Sequence, residues 1–337
     1  MNTRGKKTLS LTRFPVYLLQ LAVGLLLYLG ILSLTGVTIE TLNFLGTLHW
    51  ASLFASLLLT ILLTGFISFR WRLLANALTG SPVLSQVDSF FYVLAGRSIG
   101  FLLPKDLSDM VVRTLLLARR NNVPLHISTS SLILDKMLDL IVSAVFLGPS
   151  LLFIFGQTTM RESLELLLTL VLVVFLLLWF SSPYVLRSIF YGYNLARKIL
   201  LGLLRRDYQP VEDISLPSST FAVGYLASVA KQICIGLRAL FLGQAVGIFL
   251  SPVVFLFGAS ITQMSYVVSV TPDALGVYDA AWYGVLTVAG MADTAIGFFL
   301  ILQRVFTIVV IGALTLLMFG LTSWMRSVGG RSSAEPS

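Results

Sequence analysis

Charged side chains inside hydrophobic stretches are the residues of this sequence that are best placed to do chemistry. Asp135, Lys136 and Asp139 lie in one apolar segment, and Arg304 lies in another. A charged side chain at the centre of a membrane helix costs about 2.5–3.5 kcal/mol, so such residues are functional candidates by default. Two hypotheses stay open for Lys136 and Arg304: each either meets an anionic head group or forms a structural ion pair between helices. Function is slightly favoured for Arg304, whose apolar segment contains no acid.

Two short motifs each contain a proline that directly follows an apolar segment. The first motif, LPKDLSDMVVR, contains Pro104, and the second, TPDALGVYDAA, contains Pro272. In both cases a cation of the next long helix follows the proline by 32 positions, at Lys136 and at Arg304. Because the order of elements and the charge position agree, we interpret the motifs as parts of an internal repeat. The repeat units are residues 87–156 and 253–324.

The residues around the two motifs are of types that suit a phosphate-bearing ligand. Arg97 and Arg113 carry guanidinium groups, which bind phosphate oxygens in pairs. For Arg113, a cytoplasmic loop that follows the positive-inside rule is the alternative. Gly276 suits close backbone packing or a positive φ, and Asp279 can pair with the cation of the following helix. The predicted substrate-binding residues are Arg97, Pro104, Asp106, Asp109, Arg113, Asp135, Lys136, Asp139, Pro272, Gly276, Asp279 and Arg304.

Two further cations, Lys231 and Arg238, lie seven positions apart on one face of the segment at 219–250. Two explanations remain open for them. They either line the same cavity as the predicted site or extend from a tilted helix to the membrane surface.

The elements that position these residues are transmembrane helices. Hydrophobic residues make up 57% of the 337-residue chain and charged residues only 11%, whereas about a quarter of a soluble domain is charged. The apolar runs provide the roughly 20 residues that one span requires. The sequence therefore predicts an all-α polytopic membrane protein that forms a single membrane domain over residues 1–337. The eight hydrophobic segments are 14–36, 48–69, 87–103, 126–156, 164–182, 219–250, 253–271 and 294–324.

The placement of the basic residues predicts how these segments cross the membrane. If every segment spanned, the basic cluster at 105–120 would lie outside, against the positive-inside rule. If 87–120 and 253–290 are instead re-entrant hairpins, all basic clusters lie on one side. The pattern predicts about six spans and two hairpins, with both termini cytoplasmic. The two units then have opposite orientations, and inverted repeats with broken helices are typical of transporters.

Two segments that lie outside the eight hydrophobic segments have patterns of their own. Residues 183–206 alternate apolar and basic side chains, which predicts an amphipathic helix on the inner leaflet. Residues 327–337 are predicted to be a disordered tail.

Several function classes are disfavoured by the sequence. The net charge of +8 is distributed over the ends of apolar runs, which is not the basic face of a nucleic-acid-binding domain. The single cysteine and two separated histidines favour neither a disulfide nor a metal site. Nucleotide and hydrolase motifs are missing from the sequence. We therefore expect no cofactor and no nucleic-acid partner.

Four motifs together resemble a known family. They are LLP-x-D-x-x-D-x-x-x-R ending at Arg113, D-K-x-x-D from Asp135, P-x-x-x-G-x-x-D from Pro272, and Gln-Arg ending at Arg304. This pattern resembles the lysylphosphatidylglycerol synthase transmembrane-region family, which is also described as flippase-like, over about residues 14–324. The family's usual Glu-Arg pair is similar to Asp135-Lys136 here, so charge type is kept while side-chain length changes.

The resemblance implies flippase-like translocation of a lipid or lipid-linked sugar, with an anionic head group, across the cytoplasmic membrane. Bifunctional members fuse this region to a cytosolic aminoacyl-transferase domain, and only 11 residues follow Arg326, so we do not expect lysyl-lipid synthesis. One alternative is an integral-membrane transferase that uses a lipid-phosphate donor, with Asp106, Asp109 and Asp135 as catalytic acids or metal ligands. Another alternative is a non-catalytic partner of a glycosyltransferase.

Overall fold

A computed structural model describes residues 14–37, 46, 48–203, 216–268 and 271–332 of the chain. Ten α-helices form within these residues. They are α1 (Phe14–Leu34), α2 (Trp50–Thr79), α3 (Gln86–Ile99), α4 (Lys105–Arg120), α5 (Leu125–Ile154), α6 (Met160–Leu203), α7 (Ser218–Ala245), α8 (Pro252–Val268), α9 (Val277–Val288) and α10 (Asp293–Ser332).

Long apolar helices dominate the fold. In the described ranges, five stretches are long and apolar enough to cross a membrane, namely α2, α5, α7, Met160–Phe180 of α6 and Asp293–Ser323 of α10. Helix α1 adds a shorter apolar stretch at Leu18–Leu34. These six elements correspond to the six expected spans. The prediction of an all-α polytopic membrane protein is confirmed.

The remaining four helices form two hairpins. In hairpin 1, α3 and α4 pack against each other, and in hairpin 2, α8 and α9 do the same. The four helices contain 14, 16, 17 and 12 residues. At a rise of 1.5 Å per residue they are about 18–26 Å long, which is less than the roughly 30 Å of the hydrocarbon core. Their positions agree with the hairpins expected at 87–120 and 253–290.

The tips of the two hairpins meet inside the protein. Pro104 and Pro272 form an isolated antiparallel β-bridge. The backbone N–H of Asp273 donates a hydrogen bond to the carbonyl oxygen of Gly100, at 3.1 Å. Non-helical backbone at membrane depth is tolerated where protein or a cavity surrounds it. The contact therefore gives polar backbone groups of both tips a partner.

The spanning helices hold the hairpins in place. Helices α2 and α7 pack along each other, and α5 contacts both. Hairpin 1 packs on α2, α5 and α10, while hairpin 2 packs on α7, α5, α1 and α10. Trp282 of α9 is fully buried against Phe255 of α8 and Phe299 of α10. Such aromatic burial fixes the hairpin against its neighbours.

One expected boundary is wrong. The second hydrophobic segment is predicted to end at residue 69, before Arg70 and Arg72. Helix α2 instead continues to Thr79 and ends at Gly80, whose φ of 65° is the left-handed conformation of a helix C-cap. Both arginines therefore lie inside a helix.

Two other boundaries also differ from expectation. Helix α6 is continuous from Met160 to Leu203, so the predicted amphipathic segment at 183–206 begins without a break, and its residues 204–206 lie outside the described residues. Its position on the membrane surface stays a prediction. Helix α10 continues to Ser332, so residues 327–332 of the predicted tail are helical. Residues 333–337 lie outside the described residues.

Candidate functional site

A cavity of about 390 Å³ lies where hairpin 1, hairpin 2 and helices α2, α5 and α7 meet. This volume is typical of a small-molecule site. Of the described residues, six cationic and four acidic side chains line it. They are Arg97, Lys105, Arg113, Lys136, Lys231, Arg238, Asp106, Asp109, Asp135 and Asp139. The cavity therefore brings together eight of the twelve predicted site residues. They are Pro104 and the seven predicted charged residues of the first repeat unit.

The cavity also has an apolar wall. Leu63 and Ile67 of α2, Leu140 of α5, and Ile235 of α7 line it together with Met264 of α8. A site with both charged and apolar walls suits an amphipathic ligand, because each part of such a ligand finds a matching environment.

Lys136 connects hairpin 1 to α5. Its ammonium group donates a hydrogen bond to Asp106 at 2.7 Å and lies 3.1 Å from Asp109. Asp109 also accepts a hydrogen bond from Arg113 at 2.9 Å, one helical turn further along α4. A Cβ atom at Gly96 of α3 would lie 3.1 Å from the Cα of Asp109. The glycine therefore permits the close approach of the two hairpin arms at this acid.

The ion pairs continue from α4 through α5 and α2 to α7. Arg113 lies 3.1 Å from Asp135, and Asp135 accepts a hydrogen bond from Arg70 at 2.6 Å. Asp139 then pairs with both Arg70 and Lys231. The result is a chain of alternating charges, which we call the charge chain. In order, it consists of Asp106, Lys136, Asp109, Arg113, Asp135, Arg70, Asp139 and Lys231.

The charge chain is electrically balanced, with four acids and four cations. Its central arginines, Arg70 and Arg113, have side chains at most 1% exposed, and Arg113 also lies over the ring of Trp71 at 4.3 Å. Removing one partner from a buried ion pair leaves an uncompensated charge, which typically costs about 3–5 kcal/mol of stability. The charge chain thus connects helices α4, α5, α2 and α7 around the cavity.

Arg304 is the centre of a second charged group, at the tip of hairpin 2. Its Nε and Nη2 donate to the carboxylate of Asp279 at 2.9 and 2.7 Å. Its Nη1 donates to the side chain of Asp273 at 2.9 Å and to the main-chain oxygen of the same residue at 3.0 Å. Asp273 and Ala274 have φ values of 43° and 53°, which are unfavourable for residues with a Cβ. Arg304 therefore fixes an otherwise disfavoured turn, and the expected pairing of Asp279 with Arg304 is confirmed.

Gly276 and Pro272 complete this tip. Gly276 has a φ of 83°, and a Cβ atom there would collide with Leu27 of α1. Both of its expected roles, a positive φ and close packing, are thus present. Pro272 is buried and bridges to Pro104. Four predicted site residues, namely Pro272, Gly276, Asp279 and Arg304, shape the tip and do not line the cavity.

Lys105 links the tip of hairpin 2 to the cavity. Its ammonium group lies 3.5 Å from the carboxylate of Asp273 and 3.7 Å from the ring centroid of Tyr266. Lys105 and Tyr266 both line the cavity. The charge chain and the charged group around Arg304 are therefore neighbours across the point where the hairpins meet.

Sequence reasoning missed part of this site. Arg70 lies just beyond the segment predicted at 48–69, although the Gly80-Ser81-Pro82 sequence is a helix stop signal that places the helix end ten residues later. Lys231 and Arg238 both line the cavity, which agrees with the first of the two explanations proposed for them. Asp273 belongs to the second motif but is not among the predicted site residues.

The fold and the site define a polytopic membrane protein in which two short helical hairpins meet beside a charged internal cavity. The chain belongs to the family described as "Lysylphosphatidylglycerol synthase TM region", whose model matches residues 17–315. It is thus an integral membrane protein of a lipid-related family, as the motifs indicated. No curated protein and no solved structure matches the chain.

Proposed function

We propose that the protein translocates a lipid or a lipid-linked sugar intermediate with an anionic head group across the cytoplasmic membrane. Both termini lie in the cytoplasm in this proposal. The observation that carries it is the meeting of two hairpin tips, joined through Pro104 and Pro272, beside a charged cavity of head-group size. Membership in a lipid-related membrane family supports a lipid as the ligand.

The two kinds of cavity wall suit the two parts of a lipid. The charged wall is formed by seven residues of the charge chain together with Arg97, Lys105 and Arg238, and the apolar wall by α2, α5, α7 and α8. A head group would occupy the cavity while its hydrocarbon chains stay on the apolar faces of the spanning helices. Discontinuous helices that meet near the membrane midplane are a recurrent plan for moving polar ligands across a bilayer. In this account the head group passes where the two hairpin tips meet.

Lys136 is the cation of the charge chain that is best placed to exchange partners. Its side chain is 24% exposed, and its partner Asp106 is 45% exposed, so both face the cavity. Asp109 keeps Arg113 as a partner when Lys136 turns away. Lys136 therefore combines the two hypotheses made for it: it ties α5 to hairpin 1 and it meets the head group.

The acids of the cavity are less suited to the transferase alternative. Asp106, Asp109 and Asp135 are each within ion-pair distance of a cation of the protein. A carboxylate that is held in this way is a weaker ligand for a divalent metal, because the cation competes for its oxygens. Product formation from a lipid-phosphate donor that depends on a divalent cation would favour the transferase over translocation.

The direct test is lipid translocation by the purified protein in liposomes. Lipids with a fluorescent group on one acyl chain are placed in both leaflets, and an impermeant reductant removes the signal of the outer leaflet. We expect the protein to expose the protected inner-leaflet signal and Lys136→Ala to slow this exposure. Arg119→Gln is the matched control, because Arg119 lies on α4 but is exposed and does not line the cavity. A protected signal as persistent as in protein-free liposomes, for zwitterionic and anionic lipids alike, contradicts the proposal.

A further inference from the structure

Among the residues that the structure describes, the charges around the cavity are paired, with two exceptions. The charge chain is neutral, and so is the group of Lys105, Asp273, Asp279 and Arg304. Within the part of the chain that the structure describes, Arg97 and Arg238 have no carboxylate within 4.0 Å, although both line the cavity. The site therefore carries two positive charges that no acid of the described protein balances.

Arg238 of α7 is the more buried of the two. It is 6% exposed, and its Nε has no hydrogen-bond partner among the described residues. Its Nη1 has a long contact of 3.5 Å to the hydroxyl of Thr307. Burying a charged donor without a partner is costly. An arginine in this state at a cavity wall is poised for an anionic ligand.

Arg97 enters the same cavity from another element. It lies in the last turn of α3, and its Nη1 donates to the hydroxyl of Thr64 at 3.0 Å. A threonine hydroxyl orients a guanidinium group but does not neutralise it. Thr64 thus orients Arg97, and Thr307 makes only a long contact with Arg238. Neither hydroxyl neutralises the charge of its arginine.

We propose that Arg97 and Arg238 bind the phosphate of the head group, and that the preferred ligand carries a phosphomonoester with nearly two negative charges. This inference rests on the proposed function and specifies its substrate class. It follows from the count of charges, because two unbalanced cations match a doubly charged anion. A phosphomonoester carries a charge of about −1.5 to −2 at pH 7, whereas a phosphodiester carries one negative charge and a phosphocholine head group carries none.

Guanidinium groups also match the shape of such a ligand. Each one offers parallel N–H donors to two phosphate oxygens. The terminal phosphate of a monoester has three oxygens free of ester bonds, so two arginines from α3 and α7 can bind it together. The same chemistry is present in a lipid phosphate and in inorganic phosphate, and the experiment has to separate these two sources.

The test is equilibrium binding to the full-length protein in a neutral detergent. The probes are dihexanoyl phosphatidic acid, dihexanoyl phosphatidylglycerol, dihexanoyl phosphatidylcholine and inorganic phosphate. We expect the phosphatidic acid to bind about tenfold or more tightly than the phosphatidylglycerol, with phosphatidylcholine the weakest. Arg97→Gln and Arg238→Gln should each weaken binding of the phosphatidic acid about ten- to hundredfold and reduce its preference. The control variant Arg119→Gln should bind as the unmodified protein does.

Equal affinity for the monoester and diester lipids in the unmodified protein overturns the inference, whether or not the arginine variants fold. Unchanged binding in both folded variants overturns it as well. Inorganic phosphate that binds as tightly as the phosphatidic acid supports the arginine site but assigns it to a free ion. Selective binding without translocation in liposomes contradicts the proposed function alone. Translocation of all lipids at one rate contradicts this inference alone.

Discussion

Each hairpin is followed by a long helix with a cation at the same position, but the two cations have different surroundings. Lys136 is the twelfth residue of α5 when Leu125 is counted as the first, and Arg304 is the twelfth residue of α10 when Asp293 is the first. Each binds acids of the hairpin that precedes it. Lys136 lines the cavity, whereas Arg304 is 12% exposed and directs its donors to the hairpin tip.

The difference shows that equivalent positions can hold a structural and a ligand-facing cation. An arginine binds a carboxylate through two donors and is suited to fix a turn, whereas a lysine makes single contacts and changes partners more readily. The tip of hairpin 2 has residues with positive φ, at Asp273, Ala274 and Gly276, while Gly100 at the tip of hairpin 1 has a φ of −60°. We infer that hairpin 2 is the fixed wall of the site and hairpin 1 the wall that responds to the ligand.

The largest expected effect follows from the removal of Arg304. Arg304→Ala leaves Asp279, which is 2% exposed, without its cation and removes the donors that hold the turn. We expect a loss of about 3–5 kcal/mol in the free energy of unfolding, measured by denaturant titration in detergent. Lys136→Ala should cost clearly less, because Asp109 keeps Arg113 and Asp106 reaches solvent. Equal losses of unfolding free energy in the two variants would contradict the assignment of the structural role to Arg304 and the ligand-facing role to Lys136.

The next effect concerns activity and comes from Lys136. Loss of a charge-assisted hydrogen bond to the head group is worth about 1.5–3 kcal/mol, so Lys136→Ala should slow translocation about ten- to hundredfold. Lys136→Arg keeps the charge and should recover part of the rate. The measurement is the liposome assay at matched protein density. If the rate falls as far in Lys136→Arg as in Lys136→Ala, Lys136 acts through packing and not through its charge.

A smaller effect is expected at the glycines of the two tips. Gly276→Ala places a Cβ against Leu27 on a residue with a φ of 83° and a ψ of −49°, and such a sparsely populated backbone conformation costs a residue with a Cβ about 1–3 kcal/mol. Gly100→Ala requires no such conformation and should be less destabilising. Melting temperatures of the two variants in the same detergent compare them. If Gly100→Ala is the more destabilising, hairpin 2 is not the more constrained tip.

The sequence predicted the hairpins because their charges and helix lengths are local properties. The basic cluster at 105–120 excluded a simple span, and the 32-residue spacing related Lys136 to Arg304. The internal repeat itself stays a prediction that the matching order of α3 to α5 and α8 to α10 supports. The charge chain was beyond sequence reasoning, since Arg70 meets Asp135 at a separation of 65 residues. Which cations lack an acid, such as Arg238, also depends on tertiary contacts.

A reversible lock on the hairpin tips tests most directly whether the head group crosses where they meet. Pro104 and Pro272 face each other in an antiparallel bridge, and Cα atoms of such pairs lie about 4.5–5.5 Å apart, within the roughly 4.4–6.8 Å that a disulfide spans. The variant is Pro104→Cys with Pro272→Cys, in a protein whose single cysteine is removed by Cys234→Ala.

The rate of lipid translocation in liposomes is measured before and after reduction of this disulfide. Each single-cysteine variant serves as a control for the substitutions themselves. The account predicts that the oxidised protein does not translocate lipid and that reduction restores the rate. Equal rates in the oxidised and reduced protein would contradict passage between the hairpin tips.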